Sequence, residues 1–211
     1  MIQFDVVTIF PEIFKGFVSE SLLARGQKKK IIKIGLHNLR KWTTDKHKTV
    51  DDKPYGGGPG MVLKVEPIFK AIKSLKLKIK SKKVRTVLFS PRGKVFNQEM
   101  AKKWAKLDQI IFICGRYEGV DERVAENIAD EVISVGDYVL NGGEVAAMAV
   151  IESVSRIVPG FIAKKESAQK ADHVQYTRPE VFMAGKKRLK TPKILLSGDH
   201  KKIKEWREKH K

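Results

Sequence analysis

Between residues 111 and 144, two short apolar runs each stop abruptly in a polar loop that carries glycine. The first ends at Cys114 and breaks into Gly115-Arg116-Tyr117-Glu118-Gly119. The second ends at Val135 and breaks into Gly136-Asp137-Tyr138-Val139-Leu140-Asn141-Gly142-Gly143-Glu144. An α/β sheet ends its strands this way where it offers backbone donors and acceptors to a ligand, at the carboxyl ends of those strands.

The rest of the chain supplies the sheet. Residues 4–10 read as a strand, and Pro11 opens a helix with Ile13, Phe14, Phe17, Val18 and Leu22 at helical spacing. Residues 31–36 read as a second strand, 41–62 as a long polar, glycine-rich loop and 65–75 as a helix. Strands are expected at 84–89, 110–114 and 131–135, and helices at 97–107, 120–128 and 144–157. Such alternation predicts an α/β fold, a mostly parallel sheet with helices on both faces. Beyond Pro159-Gly160 the period is lost, and residues 161–193 read as polar linker. A last basic helix is expected over 199–210, with Asp199 as N-cap and Ile203, Trp206 and His210 on one face.

Charge narrows the partners. The 211 residues hold 43 Lys and Arg against 24 Asp and Glu, a formal charge of +19. Self-repulsion of that size opposes compaction, so a polyanionic partner is expected, nucleic acid ahead of an anionic membrane. The lysine-rich run 76–83 reads as a solvated connection that could touch phosphate. One cysteine, Cys114, cannot form an internal disulfide, which fits a reducing compartment; it reads as a small buried hydrophobe. The start lacks a basic n-region, and the longest apolar run, 145–151, is too short for a bilayer. A cytoplasmic protein without a membrane partner is expected.

The glycine loops carry the candidate chemistry. Tyr55-Gly56-Gly57-Gly58-Pro59-Gly60-Met61 cannot be regular structure and permits close backbone approach. Its flanks, including Asp45, Lys46, His47, Asp51, Asp52 and Lys53, are dense in groups that could orient a base. Ser90-Pro91-Arg92-Gly93, Gly115 and the pair Gly136 and Gly142-Gly143 end three strands, where backbone amides and carbonyls could hold an adenine edge and a carboxylate. Neither a P-loop nor a Gly-x-Gly-x-x-Gly after a strand occurs. The five histidines, 37, 47, 173, 200 and 210, are scattered without metal-ligand spacing. Arg156 sits where a helix should end, a favourable dipole position or a cation aimed at developing negative charge; Asp172 reads on its own as a solvated loop acid.

Residues 55–61, 114–123, 136–144, 153–160 and Tyr176-Thr-Arg-Pro-Glu180 occur in one order along the chain, with Phe10-Pro11 before them and Leu195-Leu-Ser-Gly198 after. In this the sequence resembles the bacterial tRNA (guanine-N1)-methyltransferases of the SPOUT superfamily, nearly end to end. The resemblance implies a deep trefoil knot near the carboxyl end of the α/β domain, S-adenosylmethionine as methyl donor, and methylation of guanine N1 on the 3′ side of the anticodon of tRNA. It implies a homodimer whose active site is shared between subunits, and an association with Mg²⁺ for which the sequence offers no evident ligand set.

Carried over, the cofactor loops hold Leu88, Phe89, Ser90, Pro91 and Gly93; Gly115, Tyr117 and Glu118; and Val135, Gly136, Asp137, Tyr138, Val139, Leu140, Gly142 and Gly143. Asp52, Tyr55, Gly57, Gly58, Pro59 and Arg178 are implied for RNA binding. The implied catalytic pair is Asp172, a base that removes the N1 proton, and Arg156, which stabilises charge building toward O6. The family pattern there is Asp-Ser-Phe, then Gly-Leu-Leu, then a proline before Tyr-Thr-Arg-Pro; this chain reads Ser167-Ala-Gln-Lys-Ala-Asp172-His173-Val-Gln-Tyr176 and lacks the middle portion. The expected organisation is a cofactor domain over 1–160, a linker over 161–178, and a reduced helical tRNA-binding segment over 179–211. Two other readings remain open, a non-catalytic SPOUT-type RNA-binding protein and a SPOUT methyltransferase acting on another RNA.

Overall fold

The chain divides into two compact units, Met1–Ala163 and Lys164–Lys211. A computed structural model describes residues 1–77, 81–162 and 174–210. In order, the first unit runs β1 (Ile2–Thr8), α1 (Lys15–Ser19), α2 (Ser21–Lys28), β2 (Ile32–Asn38), β3 (Asp51–Asp52), β4 (Val62–Leu63), α3 (Val65–Leu77), β5 (Val84–Val95), α4 (Gln98–Trp104), β6 (Gln109–Ile113), α5 (Glu122–Asn127), β7 (Glu131–Ser134) and α6 (Gly143–Ser155). Five of these strands form one sheet in the order β2-β1-β6-β5-β7, and every neighbouring pair is parallel. The protein therefore has an α/β fold.

Alternation along the strands feeds two cores. Phe4, Val6, Ile110, Phe112, Val87 and Phe89 point to one face, where Ala147, Val150 and Val154 of α6 and Trp104 of α4 cover them. Val7, Ile111, Ile113 and Leu88 point to the other, under Ile68, Ala71, Ile72 and Leu75 of α3. On the first face Phe112 stacks between Phe4 and Phe89, with ring centroids 6.2 and 5.4 Å away. All five residues of β6 are buried, the signature of a strand covered on both sides. Asn97 caps α4 by accepting from the Met100 amide at 3.0 Å.

Three departures from the sequence reading have local causes. The helix expected from Pro11 is split into a 3₁₀ turn (Pro11–Phe14), α1 and α2, with extended Glu20 between the last two and Ser21, at φ 56°, opening α2. The strand expected over 84–89 continues to Val95, because the chain leaves the sheet after Phe89 and re-pairs with the same residue of β7, Ile133, at Lys94. Residues 161–193 are not all linker. The second unit carries an antiparallel hairpin, β8 (Val181–Ala184) and β9 (Lys187–Lys190), before α7 (Lys193–Leu196) and α8 (His200–Lys209), so the segment expected to be helical begins with strands. Seven of the eight strand residues are exposed, so no apolar alternation marks them; the turn does, with Gly185 at φ 61°. Asp199 caps α8 by accepting from the Lys202 amide at 3.1 Å. Among the described residues no helix is long and apolar enough to cross a membrane.

Candidate cofactor cleft

Three strand ends of the first unit converge on one cleft of about 620 Å³, within the range of small-molecule sites. Each end turns in a way its residues require. After Phe89, the loop 90–93 folds over β7, and a Cβ on Gly93 would lie 2.5 Å from the backbone nitrogen of Ile133. After β6 the chain passes through Tyr117 at φ 60° and Gly119 at φ 125°. After β7, the Ser134 hydroxyl donates to the Gly136 carbonyl at 2.8 Å and tightens the bend. Gly143 donates its amide to the Gly115 carbonyl at 3.0 Å, and a Cβ there would lie 2.8 Å from Cys114 Cα. The second and third loops are thus bonded to each other.

Leu88, Val132, Leu140 and Ala146 give the cleft an apolar floor, and Arg92, Arg116, Glu118 and Glu122 bring charge to its walls. Leu88, Phe89, Ser90, Pro91, Gly115, Tyr117 and Glu118 line it, as do Val135, Gly136, Tyr138, Val139, Leu140, Gly142 and Gly143. Gly93 and Asp137 are not among the lining residues. Arg92 of the loop 90–93 pairs at 2.5 Å with Glu122, the first residue of α5. Cys114 is buried beside the cleft; burial first, then the Glu144 carboxylate, pushes its thiol well above the usual range, so it is no nucleophile.

The glycine loop adjoins this cleft. Met61 accepts from the Glu118 amide at 3.0 Å, Gly119 accepts from the Leu63 amide at 3.0 Å, and Leu63 accepts from the Asp121 amide at 3.0 Å. These bonds, and the approach of Gly60 to the Glu118 side chain, bring the end of the glycine loop to the cleft's rim. Gly56, Gly57, Gly58 and Gly60 all take positive φ, and Tyr55 is fully exposed. Asp52 sits on β3 with Lys64 at 3.4 Å; the Lys53 amide first, then Lys64, holds its carboxyl below the usual range.

Arg156 caps the far end of α6 from Gly143, about 20 Å along a 13-residue helix. Asp172 lies outside the described residues. Arg178, in the second unit, lines a separate cleft with Tyr176, Glu180 and Arg207. Among the described residues no group of three or more His, Cys, Asp or Glu is placed to hold a metal ion.

Sequence reasoning passed over Glu144 and Arg116. Glu144 is 1% exposed. Its Oε1 accepts from the Thr8 hydroxyl at 2.6 Å, and its Oε2 accepts from Arg116 Nε at 2.9 Å. The signal was an acid directly after two glycines, heading the apolar run 145–151.

The family model for tRNA (guanine-1)-methyltransferase TrmD matches residues 2–211. The chain belongs to that family. The tRNA (guanine-N(1)-)-methyltransferase of Geobacter sp. (strain M21) is 48% identical over 98% of this chain and 84% of its own length. The enzyme of that name from Dictyoglomus turgidum is 48% identical, over 99% of this chain and 84% of its own length. For the one from Endomicrobium trichonymphae the figures are 46%, 97% and 92%. A methyltransferase of this family implies S-adenosylmethionine as cofactor. The residues fit that group: an apolar floor for a purine, glycines where a Cβ would fill the cradle, and loop carbonyls and amides for its polar edges.

Proposed function

We propose that the chain methylates N1 of the guanine on the 3′ side of the tRNA anticodon. The convergence of three glycine-bearing strand ends on one cleft is the observation that carries this reading. S-adenosylmethionine, when bound, would supply the methyl group from its sulfonium sulfur, leaving S-adenosylhomocysteine. The chain's own residues do the rest. The loops 88–93, 115–118 and 135–143 grip the donor and form the deep knot that membership of the family supports. The glycine loop 56–60, with Asp52 and Tyr55 beside it, admits the flipped guanine at the cleft's rim. Arg178 meets the RNA.

Neutral guanine N1 holds a proton and is a poor nucleophile. Asp172 takes that proton while nitrogen attacks the methyl carbon, a transfer worth on the order of 10²–10⁴ in rate, and Arg156 offsets the charge that builds toward O6. The 20 Å scale of α6 between Gly143 and Arg156 supports a site shared between two subunits of a homodimer. The charge of +19 supports the polyanionic substrate. A cytoplasmic setting agrees with tRNA as substrate and with one buried, unpaired thiol. Magnesium, where it acts, would enter with the RNA's phosphates, as this ion usually does.

Mass spectrometry of tRNA nucleosides after incubation with isotopically labelled donor tests the reading. Label in 1-methylguanosine is the expected result. Cofactor binding with no labelled nucleoside in any tRNA would overturn it.

A further inference from the structure

We infer that Glu144 is a positioning residue, holding Arg116 and the two later cofactor loops in register; the inference rests on the cleft being the cofactor site. Glu144 does not itself line the cleft, whereas Arg116 and Gly143 do. Its carboxylate is almost wholly buried and joins three segments that meet there. Oε1 takes the Thr8 hydroxyl from the carboxyl end of β1, and Oε2 takes Arg116 Nε from the loop after β6. The residue itself heads α6, where the helix dipole favours its charge.

Arg116 is held on its other sides too. Its guanidinium lies over the Phe10 ring at 5.0 Å from the centroid, and its Nη1 donates to the Asn141 carbonyl at 3.4 Å. An isolated antiparallel bridge joins Arg116 to Gly142. A Cβ on Gly142 would lie 2.6 Å from Glu144 Oε2, so glycine there leaves the room the ion pair occupies. Below this network Ala147, Val150, Ile151 and Val154 anchor α6 in the core through apolar contacts of their own. What the network fixes is a planar cation on the cleft wall and the spacing between loops 115–118 and 135–143. A guanidinium so clamped offers its remaining N–H groups in one direction, which suits a carboxylate such as the amino-acid end of the donor.

The test compares Glu144→Gln, Arg116→Gln, the double variant and Thr8→Val. Calorimetry gives Kd for S-adenosylhomocysteine, and hydrogen exchange of the cofactor-free protein reads peptides covering 114–119 and 140–144. Glu144→Gln should weaken cofactor binding about tenfold or more and speed exchange in both peptides, with the double variant no worse than the weaker single one. Thr8→Val should move both readouts the same way by less, and it keeps the test alive if Glu144→Gln folds poorly. Additive losses in the double variant, or a lower melting temperature with Kd and exchange unchanged, would overturn the inference. A wild type that binds the cofactor but methylates no tRNA would sink the proposed function and leave this inference standing.

Discussion

Gly93 lies against the backbone of Ile133 so closely that a Cβ would come within 2.7 Å of three of its main-chain atoms. Neither partner can give way. Gly93 belongs to the loop by which β5 leaves the sheet and returns, and Ile133 is the residue of β7 that pairs both before and after that loop. Gly93→Ala should therefore cost about 1–3 kcal/mol of stability, as overpacking does. It should also weaken cofactor binding, because the same loop forms one wall of the cleft. Urea denaturation and calorimetry with S-adenosylhomocysteine check the two effects.

Gly60 poses a different problem. It takes φ 79°, and a Cβ would lie 2.5 Å from Glu118 Cγ. Glu118 has a flexible side chain, so the clash moves that carboxylate while the backbone strain remains, at about 1 kcal/mol. Gly60→Ala should raise KM for tRNA several-fold through the rim loop. Steady-state kinetics with varied tRNA measures it, and an unchanged KM would separate loop 55–61 from the substrate.

Acid stability should follow Asp5. Burial pushes its carboxyl up, but hydrogen bonds from His37 at 2.7 Å, Gln109 at 2.8 Å and Gln3 at 2.8 Å outweigh that and hold it below the usual range. A carboxyl depressed in the folded state stabilises fully above its unfolded value, near 3.9, and loses that contribution as pH falls through the lower folded value. Stability should thus drop below about pH 4. Asp5→Asn should flatten that limb and lower stability at neutral pH. Thermal melts from pH 2 to 7 decide it.

The proposed sharing of the active site between subunits predicts complementation. Asp172→Asn should lower kcat by roughly 10²–10⁴ with cofactor Kd unchanged. Gly136→Val should abolish cofactor binding, since a Cβ there meets the Tyr138 ring. Mixed dimers of the two inactive variants should regain activity at the one site that joins an intact cleft to an intact aspartate. Failure of refolded mixtures to methylate would count against an aspartate supplied across the dimer.

Local order was legible in the residues. The short apolar runs, Pro11, the N-cap Asp199 and the glycine bends place strands, helices and ligand loops close to where they stand, because each rests on backbone preference within a few residues. The hairpin 181–190 escaped because exposed strands need no apolar alternation, and the split after Pro11 because Ser21's positive φ leaves no pattern. Packing between distant segments decided the rest. Strand order β2-β1-β6-β5-β7 depends on contacts far apart in sequence, and so does the return of β5 to Ile133. The same holds for Glu144: its charge is written in the chain, but its meaning comes from Thr8, 136 residues away, and Arg116, 28 away, which fold brings to one buried carboxylate. A buried charge must find its partners, and only the tertiary structure supplies them.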